Sequence, residues 1–364
     1  MSSSPYSNPV TVIEGAGVFK KIVDEFLDSD VTIITSIGTR KRFLDTFLNE
    51  NGLNPHCIID ECIENPTFSS CRKMYAKLDH EKTDKIIAIG GGSVLDAAKV
   101  VSLYDNSGLF EPIEIALKHG SDFLEFNFTP LIAVPTTAGT GSEVTSWGTV
   151  WDDIALKKYS MANPLLYPLR AYCDAELTLS LSWSTTLATA LDALSHAMES
   201  IWNLNASYQT KQFALKAIEL VLENLEPLSR DLGNITLRSA IMSAAINAGL
   251  GFSNTKTSVA HAISYYLTLR KKIPHGRACS FSLPHILKVY LEEHDDDILT
   301  HEHLAEILTM FRKLNISTRP QDYGIARIEF DDFFNEGTKS DRMKNSLVNL
   351  PRLREELLST YSSI

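Results

Sequence analysis

No two of the five cysteines stand at CxxC spacing: Cys57, Cys62, Cys71, Cys173 and Cys279 are scattered and odd in number. That argues against a disulfide framework or a zinc ribbon, and reduced thiols fit a cytoplasmic chain. No apolar run approaches the about 18 residues needed to span a bilayer, so no membrane segment is expected. MSSSPYSNPV lacks the basic and apolar regions of a secretory signal. Positive charge is also short. The formal net charge of −11 speaks against a general nucleic-acid or membrane-surface binder, because phosphate attraction needs a basic face.

What is present is a soluble-type balance over a length sufficient for two domains. VTIITSI (31–37), KIIAIGGG (85–92) and PLIAVPTT (130–137) are short apolar runs that end in turn-forming residues. Amphipathic stretches such as RKRFLDTFLNENG and FSSCRKMYAKLDHE lie between the first two. Strands spaced by helices predict βαβ units and a parallel sheet, whose ligands collect at the carboxyl ends of the strands. From about Leu179 the pattern changes. Stretches 184–203, 208–227, 235–250 and 281–293 are apolar at helical spacing and poor in strand signals. The expected boundaries are 1–177 for an α/β dinucleotide-binding domain and 178–364 for a helical metal-binding domain.

Two loops suit a nucleotide. Gly90-Gly91-Gly92-Ser93 follows a buried-type strand and opens a helix, where glycines admit a phosphate close to the backbone and the helix start offers free N–H groups. The spacing is not GxGxxG, so the standard fingerprint is absent and a plain tight turn is an equal alternative. VPTTAGTGSEVT (134–145) gathers Thr136, Thr137, Thr140, Ser142 and Thr145 around Gly139 and Gly141. Its hydroxyls suit a pyrophosphate, ribose or nicotinamide amide, although a solvated loop would carry similar residues.

One helix carries chemistry. In STTLATALDALSHAMESIW, Asp192, Ser195, His196 and Glu199 share a face at i, i+3, i+4 and i+7. Alone, this stripe reads more simply as a solvent face. His261, in TSVAHAISYY, and His275, in the turn IPHGRACS, change the balance. One carboxylate and three imidazoles suit Fe(II) or Zn(II), and either ion can act as a Lewis acid on a carbonyl oxygen.

The set GGGSVLDAAK, PTTAGTGSEVT, LDALSHAMES and AHAISYYL…PHG resembles the iron-dependent (group III) alcohol dehydrogenase family, in that family's order. The resemblance implies a Rossmann-like N-terminal domain with a parallel sheet and an all-α C-terminal domain, an architecture shared with dehydroquinate synthase. It implies metal ligands at Asp192, His196, His261 and His275, the last two also being catalytic candidates. It implies pyrophosphate contacts at Gly91, Gly92 and Ser93, and nicotinamide-side contacts at Thr136, Thr137, Thr140 and Ser142. Asp96, Lys158 and Leu177 match further cofactor positions. There is one departure. Many members carry HxxxH before the PHG turn, whereas here Thr257 stands four before His261, so one histidine must serve for two and its role as ligand or relay stays open.

Cofactor and substrate are read from charge. Ser36 stands where NAD-specific enzymes often place an acid, with Arg40, Lys41 and Arg42 behind it, so NAD(H) and NADP(H) are both expected to fit. Lys256, Arg270, Lys271, Lys272 and Arg277 flank two ligands and suit an anionic aldehyde. That segment resembles the phosphonoacetaldehyde reductase branch. The alternatives are a dehydrogenase of a neutral alcohol or polyol, or a lyase of the dehydroquinate synthase type. The expected partners are a small aldehyde or alcohol and a second copy of the chain, with no nucleic acid and no membrane.

Overall fold

The computed structural model describes residues 6–120, 126–155, 157–295 and 297–361. They divide into two compact units. One holds residues 8–137 and 142–178; the other holds 6–7, Ala138–Gly141 and the chain from Leu179 onward.

The first unit is built on a six-stranded sheet. Its strands, with two short pairs, run β1 (Thr11–Glu14), β2 (Val31–Thr35), β3 (Cys57–Ile59), β4 (Lys85–Gly90), β5 (Leu103–Tyr104), β6 (Asn127–Phe128), β7 (Leu131–Pro135), β8 (Trp147–Asp152), β9 (Lys157–Ala162) and β10 (Arg170–Cys173). The sheet order is β1-β10-β7-β4-β2-β3, and every pairing in it is parallel. Strands β2 and β7 are buried along their whole length, as expected where both faces are covered. Ile33, Ile87, Ile89, Ile132 and Val134 meet Phe19, Leu44 and Tyr172 in one apolar core. β8 and β9 form an antiparallel hairpin outside this sheet.

Helix Gly92–Val101 begins where β4 ends. Gly90 is required at this junction, because a Cβ there would lie 2.4 Å from Val94 Cγ2. The turn can therefore fold tightly enough for Val94 and Leu95 amides to reach the Gly91 carbonyl, at 2.9 and 3.2 Å. The Gly92 and Ser93 amides ahead of these lie before the first intrahelical hydrogen bond.

The second unit is helical. Trp183–Ile201, Tyr208–Arg230 and Ile235–Thr255 pack on one another, and Val259–Arg270, His275–Ser280, Leu283–Glu293, His301–Lys313, Phe330–Thr338 and Leu350–Ser359 follow. Among the described residues only Ile235–Thr255 is long and apolar enough to cross a membrane, and more than half of its most apolar stretch is buried against neighbouring helices. Side-chain caps set the helix starts: Ser182 accepts from the Thr185 amide, and Ser207 and Thr210 cap reciprocally.

Candidate metal centre and nucleotide loops

The polar stripe of Trp183–Ile201 does not face solvent. Asp192, Ser195, His196 and Glu199 are all buried. The short helix His275–Ser280 lies directly against this one, and glycine makes the approach possible: a Cβ on Gly276 would sit 1.8 Å from the Ala188 carbonyl oxygen. That contact puts the preceding side chain, His275, beside Asp192. The His275 Nε2 to Asp192 Oδ1 distance is 3.9 Å, and His261 Nε2 lies 3.6 Å from the same oxygen. Cys279 is one helical turn beyond His275, and its Sγ is 3.7 Å from His275 Nε2. Donor atoms of Asp192, His261, His275 and Cys279 all lie within 4.8 Å of one another.

Glu199 fixes one member of this group. Its carboxylate accepts from the amides of Ser258 (2.8 Å), Ala260 (2.5 Å) and His261 (3.1 Å), so it caps the start of helix Val259–Arg270. It also accepts from His261 Nδ1 at 2.7 Å. A proton held on Nδ1 leaves Nε2 as a lone-pair donor, which is how an outer carboxylate orients a metal-binding imidazole. Asp192 Oδ1, His261 Nε2 and His196 Nδ1 are buried and make no hydrogen bond. Buried polar atoms without partners are costly, and here two of them converge on one point. A divalent cation satisfies that arrangement.

His196 is placed differently. Its ring is sandwiched between Phe252, at 4.1 Å and 14°, and His261, at 4.4 Å and 17° between centroids and planes. It does not enter the four-residue group. Burial pushes its pKa down to about 4, which keeps it neutral, the form that ligates. Burial alone would raise the Asp192 carboxyl, but His196, His261 and His275 outweigh it and hold the group ionised. The residue four after His261 is Tyr265, whose ring is parallel to that of His275 at 7° and 6.4 Å. Glu199, Cys279, Phe252 and Tyr265 were not anticipated as site residues, although Cys279 stands at i+4 from His275 and Glu199 was already on the metal stripe.

The nucleotide-loop candidates are tied to one another. A Cβ on Gly91 would meet Thr137 at 3.3 Å, so the two loops touch, and the Thr136 amide donates to the Gly90 carbonyl at 2.9 Å. Ser93 Oγ accepts from the Asn65 amide, and Ser142 Oγ donates to Asp96 at 2.7 Å. The fully buried Lys99 ammonium lies 2.6–3.3 Å from oxygens of Ser142 and Thr145 and 2.9 Å from the Trp147 carbonyl. Ser36 caps the helical stretch that follows β2 by accepting from the Thr39 amide. Arg40 is ion-paired to Asp45 and Asp60, while Lys41 and Arg42 are exposed. Lys158 lies over the Trp151 ring, and Leu177 packs on the apolar core. Thr140 belongs with Ala138–Gly141 to the helical unit.

Of the expected substrate cations, Arg270 pairs with Glu336 and Lys271 with Glu329. Lys256 and Lys272 have positive φ, 68° and 57°, at the ends of their helical segments. Arg277 lies near the Tyr323 phenol, on which its charge acts.

One chain thus joins a parallel sheet with a glycine turn at one strand end to a helical unit with a buried carboxylate–imidazole group. The sequence matches the model described as iron-containing alcohol dehydrogenase over residues 9–175. It matches the C-terminal model of the Fe-containing alcohol dehydrogenase family over residues 186–352. The chain belongs to the iron-containing alcohol dehydrogenase family. It is 30% identical to a phosphonoacetaldehyde reductase of Streptomyces viridochromogenes over 65% of this chain and 60% of that protein. It is 38% identical to a sulfoacetaldehyde reductase of Bilophila wadsworthia over 55% of this chain and 51% of that protein. These alignments therefore span less than two thirds of either relative. A crystal structure of an iron-containing alcohol dehydrogenase superposes with a TM-score of 0.83 at 26% identity, covering 99% of both chains. A sulfoacetaldehyde reductase from Bifidobacterium kashiwanohense, solved with NAD+, shares the fold with a TM-score of 0.88 at 23% identity, over 99% of each chain.

Proposed function

We propose that this chain is a metal-dependent, nicotinamide-linked alcohol dehydrogenase acting as a reductase of small anionic aldehydes such as phosphonoacetaldehyde. The observation that carries this reading is the convergence of Asp192 Oδ1 and His261 Nε2, both buried and without hydrogen bonds, beside His275. Asp192, His196, His261 and His275 would hold the ion, Fe(II) or Zn(II). When bound, such an ion supplies Lewis-acid stabilisation of the charge that grows on a carbonyl oxygen during hydride transfer.

The chain's own side chains have separable tasks. Asp192 brings the negative charge that favours a cation. Glu199 locks the His261 tautomer, and Phe252 and His261 hold the His196 ring flat between them. His275 is 31% exposed while Asp192 and His261 are buried, so it is the one of the three that water reaches.

Residues within 1–177, with Gly91, Gly92, Ser93, Asp96, Thr136, Thr137, Ser142, Lys158 and Leu177 among them, would hold the dinucleotide. NADH is the favoured form, because Asp45 and Asp60 neutralise Arg40 near Ser36; comparing turnover with NADH and NADPH tests this. The reading places the enzyme in the cytoplasm, as a homodimer without nucleic-acid or membrane partners.

The decisive variant is His275→Ala, reconstituted with metal and supplied with NADH and phosphonoacetaldehyde. Losing one ligand removes several kcal/mol of transition-state stabilisation, so turnover falls about a thousandfold. Near-native turnover would overturn the assignment.

A further inference from the structure

Two of the cations that the sequence places beside the metal ligands are engaged elsewhere. Arg270 pairs with Glu336 and lies 5.1 Å from the Tyr266 ring centroid, and Lys271 pairs with Glu329. A different arginine, far along the chain, reaches an aromatic neighbour of the centre. Arg342 lies in the helical turn Asp341–Asn345. Its guanidinium donates to Thr257 Oγ1 and sits 5.5 Å from the centroid of Tyr265. Among the described residues no carboxylate forms an ion pair with it, and its neighbour Asp341 is taken by Lys344. Arg342 is partly buried, yet it keeps several N–H donors beyond the one given to Thr257.

The turn that carries it is anchored firmly. Asn345 Nδ2 donates to the Thr257 carbonyl at 3.0 Å, and its own carbonyl accepts from the Leu204 amide at 2.8 Å. Leu347 continues this docking by donating to the Trp202 carbonyl at 3.0 Å. The guanidinium is therefore held in place rather than free to sweep solvent.

Tyr265 links this charge to the metal centre. It lies one turn beyond His261 on the same helix, and its ring is parallel to that of His275, 6.4 Å away. Along that path run, in order, a candidate metal ligand, one aromatic ring and a fixed cation. A short aldehyde with its carbonyl at the ligands and an acid group at its other end matches this order, with the tyrosine face flanking its two or three carbons.

We propose that Arg342, held by Thr257 and Tyr265, forms an oxyanion subsite that selects short aldehydes ending in a phosphonate, sulfonate or carboxylate. This rests on the reading of the metal centre given above. The planar fork of arginine suits such groups because two parallel N–H donors meet two oxygens. Thr257 and Tyr265 set the plane of the fork, and the missing carboxylate leaves its charge for the substrate.

The test compares phosphonoacetaldehyde with propanal in wild type, Arg342→Gln and Arg342→Lys, and measures ethylphosphonate binding by calorimetry. Hydrogen bonds to charged groups of this kind predict a tenfold to hundredfold fall in the kcat/KM ratio of phosphonoacetaldehyde to propanal in Arg342→Gln, mainly through KM. Arg342→Lys keeps the charge without the fork and falls between the two. Ethylphosphonate binding weakens in the same order. An unchanged ratio with unchanged ethylphosphonate binding in Arg342→Gln overturns the subsite, as does a wild type that prefers propanal and does not bind ethylphosphonate. Should Arg342→Gln fail to fold, Arg342→Lys carries the same comparison. Failure of the underlying reading looks different: wild type then holds no metal and reduces neither aldehyde, while the ethylphosphonate titration still decides the subsite.

Discussion

The metal centre and the nucleotide loops are both rich in buried polar side chains, and they handle them in opposite ways. Around Asp192, atoms are left without hydrogen bonds: Asp192 Oδ1, His261 Nε2 and His196 Nδ1. Around Lys99, donors and acceptors satisfy each other, with the ammonium bridging Ser142, Thr145 and Trp147 and Ser142 reaching on to Asp96. The difference fits what the proposed function asks each region to hold. A cation needs bare lone pairs aimed at one point, so the protein bears their desolvation until the ion is bound. A dinucleotide phosphate is met by backbone amides at a helix start, so the side chains nearby are free to brace the loop.

Removing the brace should therefore give the largest effect on folding. Lys99→Met takes the ammonium away from five oxygens of Ser142, Thr145 and Trp147 and leaves two acidic neighbours, Asp96 and Glu143, without their cation. A loss of about 3 kcal/mol in unfolding free energy is expected, the scale for breaking one side of a buried charged network. Denaturant titration measures it. A loss under about 0.5 kcal/mol, the size of an ordinary surface substitution, would show that Lys99 braces nothing.

Glu199→Gln sharpens the other half of the contrast. The amide keeps the shape but cannot hold the Nδ1 proton of His261 as a carboxylate does, and one of its two ends no longer accepts from the amides of helix Val259–Arg270. Metal affinity should fall about tenfold to a hundredfold, as for outer partners of metal-bound histidines. Competition with a chelator gives the number. Unaltered affinity would mean that the ligand ring is oriented by packing alone.

The sheet was legible where burial made strands uniformly apolar. β2, β4 and β7 emerge from VTIIT, KIIAIG and LIAVP, each closed by turn residues. β1 and β10 carry mixed residues such as Thr11, Glu14 and Arg170, and the β8–β9 hairpin contains Lys157, Lys158 and Ser160, so none of them shows an apolar run. The candidate site was partly legible: helical spacing alone puts Asp192 and His196 on one face and the PHG turn carries His275, but the residues that come together are Asp192, His261, His275 and Cys279. Its burial was not, since a polar stripe reads as solvent-facing until the packing of the second unit is known. Cys279 was passed over as one thiol among five, although i+4 from His275 placed it on the ligand face. Arg342 had no local signal at all. It reaches Tyr265 only through tertiary folding, whereas Arg270 and Lys271, adjacent to the ligands in sequence, turn to Glu336 and Glu329.

Glu143 in the loops and His196 in the metal centre should also respond to acid in opposite directions, a smaller effect but one that separates them in a single experiment. In the nucleotide loops, burial pushes Glu143 up to about 7, against an ordinary value of 4.5, with Lys99 acting weakly in the other direction. Cys173 also feels the Glu143 charge, but burial raises its thiol well above this range, so it stays neutral. A carboxyl raised on folding stabilises the fold most below 4.5, and that contribution is lost as the pH rises through 7. Lys99, pushed down to about 8 by burial, remains protonated below that and adds no slope between 4.5 and 7. In the metal centre His196 carries the reverse sign, partly offset by His261, which the Cys279 and Glu199 charges raise against its burial. His196 is pushed down by burial from 6.5 to about 4, so it resists the proton that the unfolded chain accepts, and stability falls as the pH drops from 6.5 towards 4. Hydrogen exchange at pH 7.5 and 5.5, followed separately for amides of β4 with helix Gly92–Val101 and of helix Trp183–Ile201, should show the first group gaining protection relative to the second. The relative shift should be of order 1 kcal/mol. Glu143→Gln should abolish the gain in the loops and leave the helix unaffected, and a parallel shift in both groups would show that the two regions do not titrate independently.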